Sequence, residues 1–282
     1  MPPSPLLLQL KNSRFSMTKA ESLIVDKIIE NPSYFVRASA REFSTSTGVS
    51  DASVIRFCQK YSALGYQEFK AQLHKELMIS SQGEKRAISP DIYIEDDLDS
   101  TVEKVESIIN YSVRDTKALL VTESLQQAVD ALEKANRLFF IGLGGSGLSA
   151  IEAGYKFNRI GFDANSFNEK HTMYYKIQYT KPDDFVVVIS HSGESEDMIK
   201  AAQTAQQNGS TIVAITQNAN STIGKLSHIV LQNSSQGELY QGDSIGTRIS
   251  QMYLLDILYT ETLKHCFENV KSSKINIRSK IN

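Results

Sequence analysis

The sequence has little cysteine and no long apolar run. Its only cysteines, Cys58 and Cys266, stand near opposite ends of the 282 residues, and no group of cysteines and histidines has the spacing of a metal site. The apolar run at residues 6–10 is far shorter than the roughly 20 residues of a membrane-spanning helix, and no basic stretch precedes it as in a signal peptide. We therefore expect a cytoplasmic protein with reduced cysteines, no metal and no membrane partner.

Charge is unevenly distributed along a chain that has room for two domains. Residues 1–86 contain 12 Lys and Arg against 8 Asp and Glu, a net charge of +4, whereas the remainder contains 18 against 24, a net charge of −6. This imbalance favours a DNA-binding module joined to a domain that does not touch DNA. A solvated charged face would produce the same imbalance.

Two capping boxes predict helix starts in the basic segment. Thr18 with Glu21 precedes an amphipathic helix that ends at an Asn-Pro pair, and Ser39 with Glu42 precedes a short helix over residues 40–46. Gly48 follows, and it can adopt the positive φ that a tight interhelical turn requires.

A third helix is predicted over residues 51–61, with one apolar and one polar face. Its apolar stripe consists of Val54, Phe57, Cys58 and Tyr61. Its polar side, with the residue that precedes the helix, consists of Ser50, Ser53, Arg56, Gln59 and Lys60. Hydroxyls and cations on one helix face can bind phosphates and base edges in a major groove, so these five are the candidate DNA-binding residues. A small helical subdomain with a polar exterior has the same pattern.

This segment resembles the helix-turn-helix of the RpiR-type regulators. The resemblance rests on Val-Ser-Asp-Ala-Ser-Val-Ile-Arg-Phe at residues 49–57, on Lys60, and on Gly-Tyr-Gln-Glu-Phe-Lys at residues 65–70. It implies double-stranded operator DNA as a partner. The sequence departs from the family at Tyr61-Ser62, where the family has Leu-Gly, so the helix must end there without glycine.

Composition also suggests where the domains divide. Residues 79–92 are polar, contain Gly and Pro and lack periodicity, which predicts a linker between a helix-turn-helix domain at residues 1–78 and a second domain at residues 93–282. Two helical patterns between residues 97 and 135 lead into the second domain, and we expect them to help it dimerise.

The second domain alternates short apolar runs with stretches long enough for a helix. The runs lie at residues 137–141, 185–189, 211–215 and 228–231. This alternation predicts the fold class α/β, a doubly wound parallel sheet, after the all-α first domain. In such sheets, ligands bind beyond the carboxyl ends of the strands.

Gly-Leu-Gly-Gly-Ser-Gly at residues 142–147 follows the first apolar run. Its spacing, with Asp163 about 20 residues on, fits a dinucleotide-binding fingerprint. A glycine loop that opens a helix is equally a general anion cradle, because free backbone N–H groups and the positive helix end favour any phosphate. The loop alone leaves both interpretations open.

A second strand end carries Ser190, Ser192 and Ser195 around Gly193. Three hydroxyls with backbone N–H groups suit a compact terminal phosphate better than a long dinucleotide. A serine turn with a helix cap is the structural alternative, although one hydroxyl would suffice for it.

With the glycine loop, the serine segment resembles the sugar isomerase (SIS) domain, a phosphosugar-binding fold of aldose-ketose isomerases and of the same regulators. The resemblance implies that Ser146 helps to hold the ligand, that the three serines hold its phosphate, and that Glu238 approaches the sugar hydroxyls. The complete set of expected ligand-binding residues is Gly144, Gly145, Ser146, Ser190, Ser192, Gly193, Ser195 and Glu238. It implies no cofactor and no catalytic residue.

These features predict a transcriptional repressor of sugar-metabolism genes that is controlled by a sugar-phosphate effector. One recognition helix makes few contacts, so we expect a homodimer or higher homo-oligomer on paired half-sites. The alternatives are an aldose-ketose phosphosugar isomerase, with Glu238 as its base and His171 or His265 as distant candidates, and a dinucleotide-dependent enzyme. A basic helix-turn-helix has no use in either enzyme.

Overall fold

The computed structural model describes residues 5–14, 17–62, 65–80, 92, 96–235 and 245–281. The chain divides into two compact units: the first comprises residues 1–89 and 117–119, and the second comprises residues 90–116 and 120–282. The described part of the first unit is helical, and the second contains a parallel sheet with helices, which confirms the predicted fold class. Among the helices described, none is long and apolar enough to span a membrane.

The first unit is built from short helices around an apolar core. The described helices are α1 (Pro5–Ser13), α2 (Lys19–Glu30), α3 (Pro32–Arg37), α4 (Ala40–Thr47), α5 (Asp51–Ser62) and α6 (Tyr66–Ser80). The apolar run near the start of the chain lies in α1, where Leu6 and Leu10 pack in the core of this unit.

Both predicted capping boxes are present. The Thr18 backbone N–H donates to Glu21 Oε2 (2.8 Å) and the Glu21 N–H donates to Thr18 Oγ1 (3.3 Å), so α2 starts where its first orphan N–H groups find acceptors. Ser39 and Glu42 make the same pair of bonds at α4. The Asn-Pro pair that ends α2 also starts α3, because Asn31 Oδ1 accepts from the Tyr34 N–H (2.9 Å).

The turn between α4 and α5 has the conformation that the sequence predicts. Gly48 adopts a left-handed φ of 71°. The Ser44 hydroxyl of α4 bonds to the carboxylate of Asp51, the first residue of α5. The apolar stripe of α5 is confirmed: Val54, Phe57 and Cys58 are buried and Tyr61 is half-buried.

Phe35 of α3 lies at the centre of an aromatic cluster in this core. Its ring is fully buried and packs edge-on against Phe43 (4.7 Å between centroids), Tyr66 (5.3 Å) and Phe69 (5.5 Å). The cluster therefore joins α3, α4 and α6 in one core.

The second unit consists of a five-stranded parallel sheet and its flanking helices. Its elements are α7 (Leu98–Leu119), α8 (Thr122–Glu133), β1 (Arg137–Gly142), α9 (Gly145–Asn158), β2 (Ala164–Phe167), α10 (Lys170–Ile177), β3 (Asp184–Ile189), α11 (Glu196–Gln207), β4 (Thr211–Thr216), α12 (Thr222–Leu226), β5 (Ile229–Gln232) and α13 (Ile245–Ile281). The strand order is β2-β1-β3-β4-β5. The apolar runs predicted all of these strands except β2.

Helices cover both faces of this sheet. Leu138 and Phe140 of β1 point to one face, in a core shared with residues of α8, α9 and α13. Phe139 and Ile141 point to the other face, in a core shared with residues of α10 and α11. Strands buried on both sides must be apolar throughout, which explains the continuous runs in the sequence.

Candidate functional site

The glycine loop and the serine loop lie side by side at the carboxyl edge of the sheet. They follow β1 and β3, which are adjacent, and Gly142 pairs with Ile189 at the end of the two strands. The connections from β1 and β3 run to α9 and α11 on opposite faces, so the strand order reverses at this point. Such a switch point leaves a crevice between two loops, and ligands of open α/β sheets bind there.

The glycine loop presents a helix start and one hydroxyl. Gly144 adopts a φ of 57°, and α9 begins at Gly145 without a side-chain cap, so its first turn offers backbone N–H groups to an anion. Half-buried Ser146 accepts a hydrogen bond at Oγ from Gln251 Nε2 (2.9 Å), while Gln251 Oε1 accepts from Ser149 Oγ (3.0 Å). The amide of Gln251 therefore orients Ser146 and leaves its hydroxyl hydrogen available.

The serine loop is held by its backbone and keeps its hydroxyls available. The Ser190 N–H donates to Ile215 O (3.0 Å), and the Gly193 N–H donates to Ser190 O (3.1 Å). Ser192 is exposed and its Oγ accepts from the Glu194 N–H (3.2 Å), which is the serine-turn bond of the structural alternative. Ser195 occupies the N-cap position of α11 but makes no side-chain capping bond.

The three hydroxyls can therefore all donate to a ligand. In the described part of the chain, the side chains of Ser190 and Ser195 have no hydrogen-bond partner, and Ser192 acts only as an acceptor. Only Ser192 makes the bond of a serine turn, so a turn with a helix cap does not explain why three serines stand in this loop.

The described carboxylates of the serine loop and of the first turn of α11 all accept hydrogen bonds. Both oxygens of Glu194 accept from Thr222, at its N–H (3.0 Å) and its hydroxyl (2.7 Å). Asp197 in the first turn of α11 accepts from Lys170 and Tyr174, which lowers the pKa of its carboxyl, and Glu196 pairs with Lys200. The charges of Asp197 and Glu196 are thus offset by lysines, whereas Glu194 is held by neutral donors.

Glu238 lies outside the described residues, so its approach to the sugar stays a prediction. The seven other expected ligand-binding residues are all described, and all lie in the two loops at the switch point or at the start of the helices that follow them. Sequence reasoning did not find Gln251 as the partner of Ser146, nor the half-buried His191 of the serine loop. No group of histidine, cysteine and carboxylate side chains in the described ranges could hold a metal ion.

A dinucleotide site would need a free acidic side chain near the carboxyl end of β2 to bind a ribose hydroxyl. Asp163 precedes β2, so in a parallel sheet it lies at the amino edge, opposite the glycine loop. The acidic residue just beyond the other end of β2 is Glu169, and both of its oxygens accept backbone N–H groups at the start of α10 (2.8 and 2.9 Å). These bonds lower the pKa of Glu169 to about 2.

The candidate DNA-binding residues on the outer face of α5 differ in whether their side chains already have partners. Ser50 and Ser53 bond to each other through their hydroxyls (2.9 Å), and Ser50 Oγ also accepts from the Ser53 N–H at the start of α5. Arg56 and Gln59 are exposed and have no side-chain partner among the described residues. Lys60 instead donates to Glu21 Oε1 of α2 (2.7 Å), so its charge is already paired.

Comparison with known proteins matches a different family model to each half of the chain. The family model for the helix-turn-helix domain of the rpiR family matches residues 4–80, and the model for the SIS domain matches residues 131–261. A protein of Clostridium perfringens described as an uncharacterized HTH-type transcriptional regulator is 32% identical over 277 residues, which cover 98% of each chain. A protein of Haemophilus influenzae with the same description is 33% identical over 244 residues, 86% of this chain and 85% of that protein.

Among solved structures, the chain is similar to the Vibrio vulnificus NanR protein complexed with ManNAc-6P. The match has a TM-score of 0.60 and 21% sequence identity, and it covers 98% of both chains. This likeness shows that the fold is shared along the whole chain.

Proposed function

Since the chain belongs to the RpiR family of helix-turn-helix transcriptional regulators with an SIS domain, we propose that it represses genes of sugar metabolism and responds to a phosphorylated sugar. The observation that supports a sugar-phosphate effector is the position of the glycine and serine loops, which follow the adjacent strands β1 and β3 at the switch point and have available hydroxyls. The phosphate lies between the first turns of α9 and α11, whose helix dipoles both favour an anion.

Backbone N–H groups and hydroxyls recognise a phosphate without supplying a base. In the described part of both loops, the Glu194 carboxylate bonds to Thr222, and both ring nitrogens of His191 have hydrogen-bond partners. Burial lowers the pKa of His191 to about 4, so it is neutral near pH 7. These groups favour binding of a sugar phosphate over its isomerisation, which requires a general base in reach of the sugar.

The outer face of α5 is proposed to enter the major groove of operator DNA. Arg56 and Gln59 have the length and donor geometry to reach guanine or adenine edges, while Ser50 and Ser53 are placed for phosphate oxygens. A single α5 provides few contacts, so a homodimer with two such helices on paired half-sites supplies the affinity. The protein acts in the cytoplasm, where its operator and its effector are both present.

A gel shift tests this function directly. The protein is added to DNA upstream of its own gene and of neighbouring sugar genes, at about 150 mM salt because phosphate contacts depend strongly on ionic strength. Glucose 6-phosphate, glucosamine 6-phosphate, N-acetylmannosamine 6-phosphate and ribose 5-phosphate are then titrated in. We expect a specific complex that one of them releases. A complex that no sugar phosphate changes would contradict effector control, and no specific complex would contradict the DNA-binding role.

Glu21→Gln is expected to strengthen DNA binding about two- to fivefold and to steepen its salt dependence, because Lys60 loses its carboxylate partner and becomes available to a DNA phosphate. Burial alone would raise the pKa of Glu21, but hydrogen bonds from Lys60 and Thr18 outweigh burial and lower it, so the carboxylate is charged and pairs with Lys60. Glutamine preserves the capping box of α2 and removes the charge.

The matched control is Glu30→Gln, which changes the net charge equally but breaks only the exposed Lys27–Glu30 pair (2.7 Å). Fluorescence anisotropy with an operator fragment at several salt concentrations measures both variants. Equal effects of the two substitutions would show that net charge, and not the release of Lys60, determines the affinity.

A further inference from the structure

The imidazole of His191 connects the serine loop to the segment that follows β5. The ring lies between two side chains, with Nδ1 3.2 Å from Asn233 Nδ2 and Nε2 3.3 Å from Ser235 Oγ. Burial disfavours the charged form of this ring, so only one of its nitrogens carries a proton near neutral pH. Its partners determine which nitrogen that is.

The neighbouring hydroxyl of Ser250 sets the direction of these hydrogen bonds. Ser250 Oγ donates its hydrogen to Thr247 O (2.8 Å), so towards Asn233 it can only accept. The structure accordingly places Asn233 Nδ2 against Ser250 Oγ (2.9 Å) and leaves the buried Oδ1 of the same amide without a hydrogen-bond partner among the described residues, and the second hydrogen of Nδ2 is available for His191 Nδ1. With Nδ1 accepting, the ring proton of His191 is on Nε2.

Ser235 Oγ consequently accepts two hydrogen bonds. One comes from His191 Nε2 and the other from Thr247 Oγ1 (3.2 Å). Both acceptor positions of the hydroxyl are then filled, and its own hydrogen is left to donate. Within the part of the chain that the structure describes, no residue accepts that hydrogen. A hydroxyl that accepts two hydrogen bonds is polarised and becomes a stronger donor.

This chain of bonds contains deeply buried polar groups. Asn233 and Ser250 are fully buried and Thr247 is 9% exposed, whereas Ser235 at its end is half-buried. Burying polar groups costs free energy that their hydrogen bonds only partly return. The network ends in one available donor, the hydroxyl of Ser235. This hydroxyl contacts the ring of His191, which stands between Ser190 and Ser192 in the sequence. Such a donor suits an anionic acceptor at the serine loop.

We propose that Ser235 is a further ligand-binding residue, which donates to an anionic oxygen of the sugar phosphate, and that His191 is the positioning residue that orients it. This inference rests on the proposed effector function. It adds to the expected site a donor from the strand end beyond β5, and it gives the half-buried His191 of the serine loop a role through Ser235.

Ser235→Ala tests the donor, with Ser227→Ala as its matched control. Ser227 precedes β5 and Ser235 follows it, so the control deletes the same atom at the opposite edge of the sheet, where its hydroxyl bonds only to Ile223 O (2.8 Å). Calorimetric titrations use the full chain with glucose 6-phosphate, N-acetylmannosamine 6-phosphate and inorganic phosphate. We expect Ser235→Ala to raise the Kd of the ligand that binds wild type roughly tenfold, and Ser227→Ala to leave it unchanged.

Two replacements of His191 separate positioning from packing. His191→Phe keeps the ring and removes both nitrogens, so it should weaken binding about as much as Ser235→Ala. His191→Gln retains a donor near the position of Nε2, so it should remain within about threefold of wild type. Circular dichroism and operator binding verify that each variant is folded.

The outcomes distinguish this inference from the function on which it rests. If wild type binds a sugar phosphate and Ser235→Ala binds it equally well, Ser235 is not a ligand-binding residue. If His191→Phe binds the sugar phosphate as tightly as wild type, the His191 ring acts through packing and not through its nitrogens. If wild type binds none of the probes, the proposed effector function is wrong, and the role of Ser235 falls with it.

Discussion

Replacing Ser192 and Ser195 together with alanine is expected to abolish the response to the effector while operator binding persists. A hydrogen bond to a charged group contributes about 1.5–3 kcal/mol, so the loss of two weakens the sugar phosphate by roughly 10²- to 10⁴-fold. The cost to the fold is small, because Ser195 makes no capping bond and Ser192 only accepts at an exposed turn.

The response is measured as the concentration of sugar phosphate that releases half of the operator complex. Ser227→Ala again serves as the control, since it removes a hydroxyl from the opposite edge of the same sheet. Release of the double variant at the wild-type concentration would mean that these hydroxyls do not hold the phosphate.

Gly193→Ala is expected to destabilise the second unit and to remove effector binding. Gly193 has a φ of 68°, where a residue with a Cβ is strained by about 1–2 kcal/mol. An added Cβ would also overlap Ser221 Oγ, and it would lie 2.5 Å from Ser221 Cβ and 2.8 Å from Thr216 Oγ1. Overpacking of this kind costs a further 1–3 kcal/mol or so, or the loop moves away from its neighbours.

Gly161→Ala distinguishes backbone strain from overpacking as the cause of the expected losses. Gly161 also has a left-handed φ, of 97°, but a Cβ there would meet nothing within 4 Å, so this variant carries the conformational strain alone. Urea unfolding measures both variants, and calorimetry measures the affinity for the effector. We expect Gly193→Ala to be the less stable by about 1–3 kcal/mol and to be the one that loses binding. Equal losses would show that the close packing against Ser221 does not shape the serine loop.

Elements whose residues carry a strong local signal were predictable from the sequence. The strands β1, β3 and β4 are buried on both faces, so their sequences are continuous apolar runs. The edge strand β2 was missed because Asn165 and Ser166 interrupt its apolar character, and only its pairing with β1 reveals it. The two capping boxes located α2 and α4 because each box is a local bond between residues three apart.

The candidate site was predictable in part for the same reason. The glycine and serine loops follow apolar runs directly, and parallel strands bring such ends to one edge of the sheet. The bond of Ser146 to Gln251 joins residues 105 positions apart, and that of His191 to Ser235 joins residues 44 apart. No local spacing specifies such pairs. Gln251 is fully buried in its helix, and its amide bonds to Ser146 of the glycine loop.

The bond between Gln251 and Ser146 has a mechanical consequence. Gln251 stands near the beginning of α13, a helix of 37 residues that continues to Ile281. At 1.5 Å per residue, its far end lies roughly 45 Å from Gln251, so a rotation of about 5° at this amide displaces that end by roughly 4 Å. Any shift of the glycine loop that rotated α13 at this amide would therefore be largest at the far end of the helix.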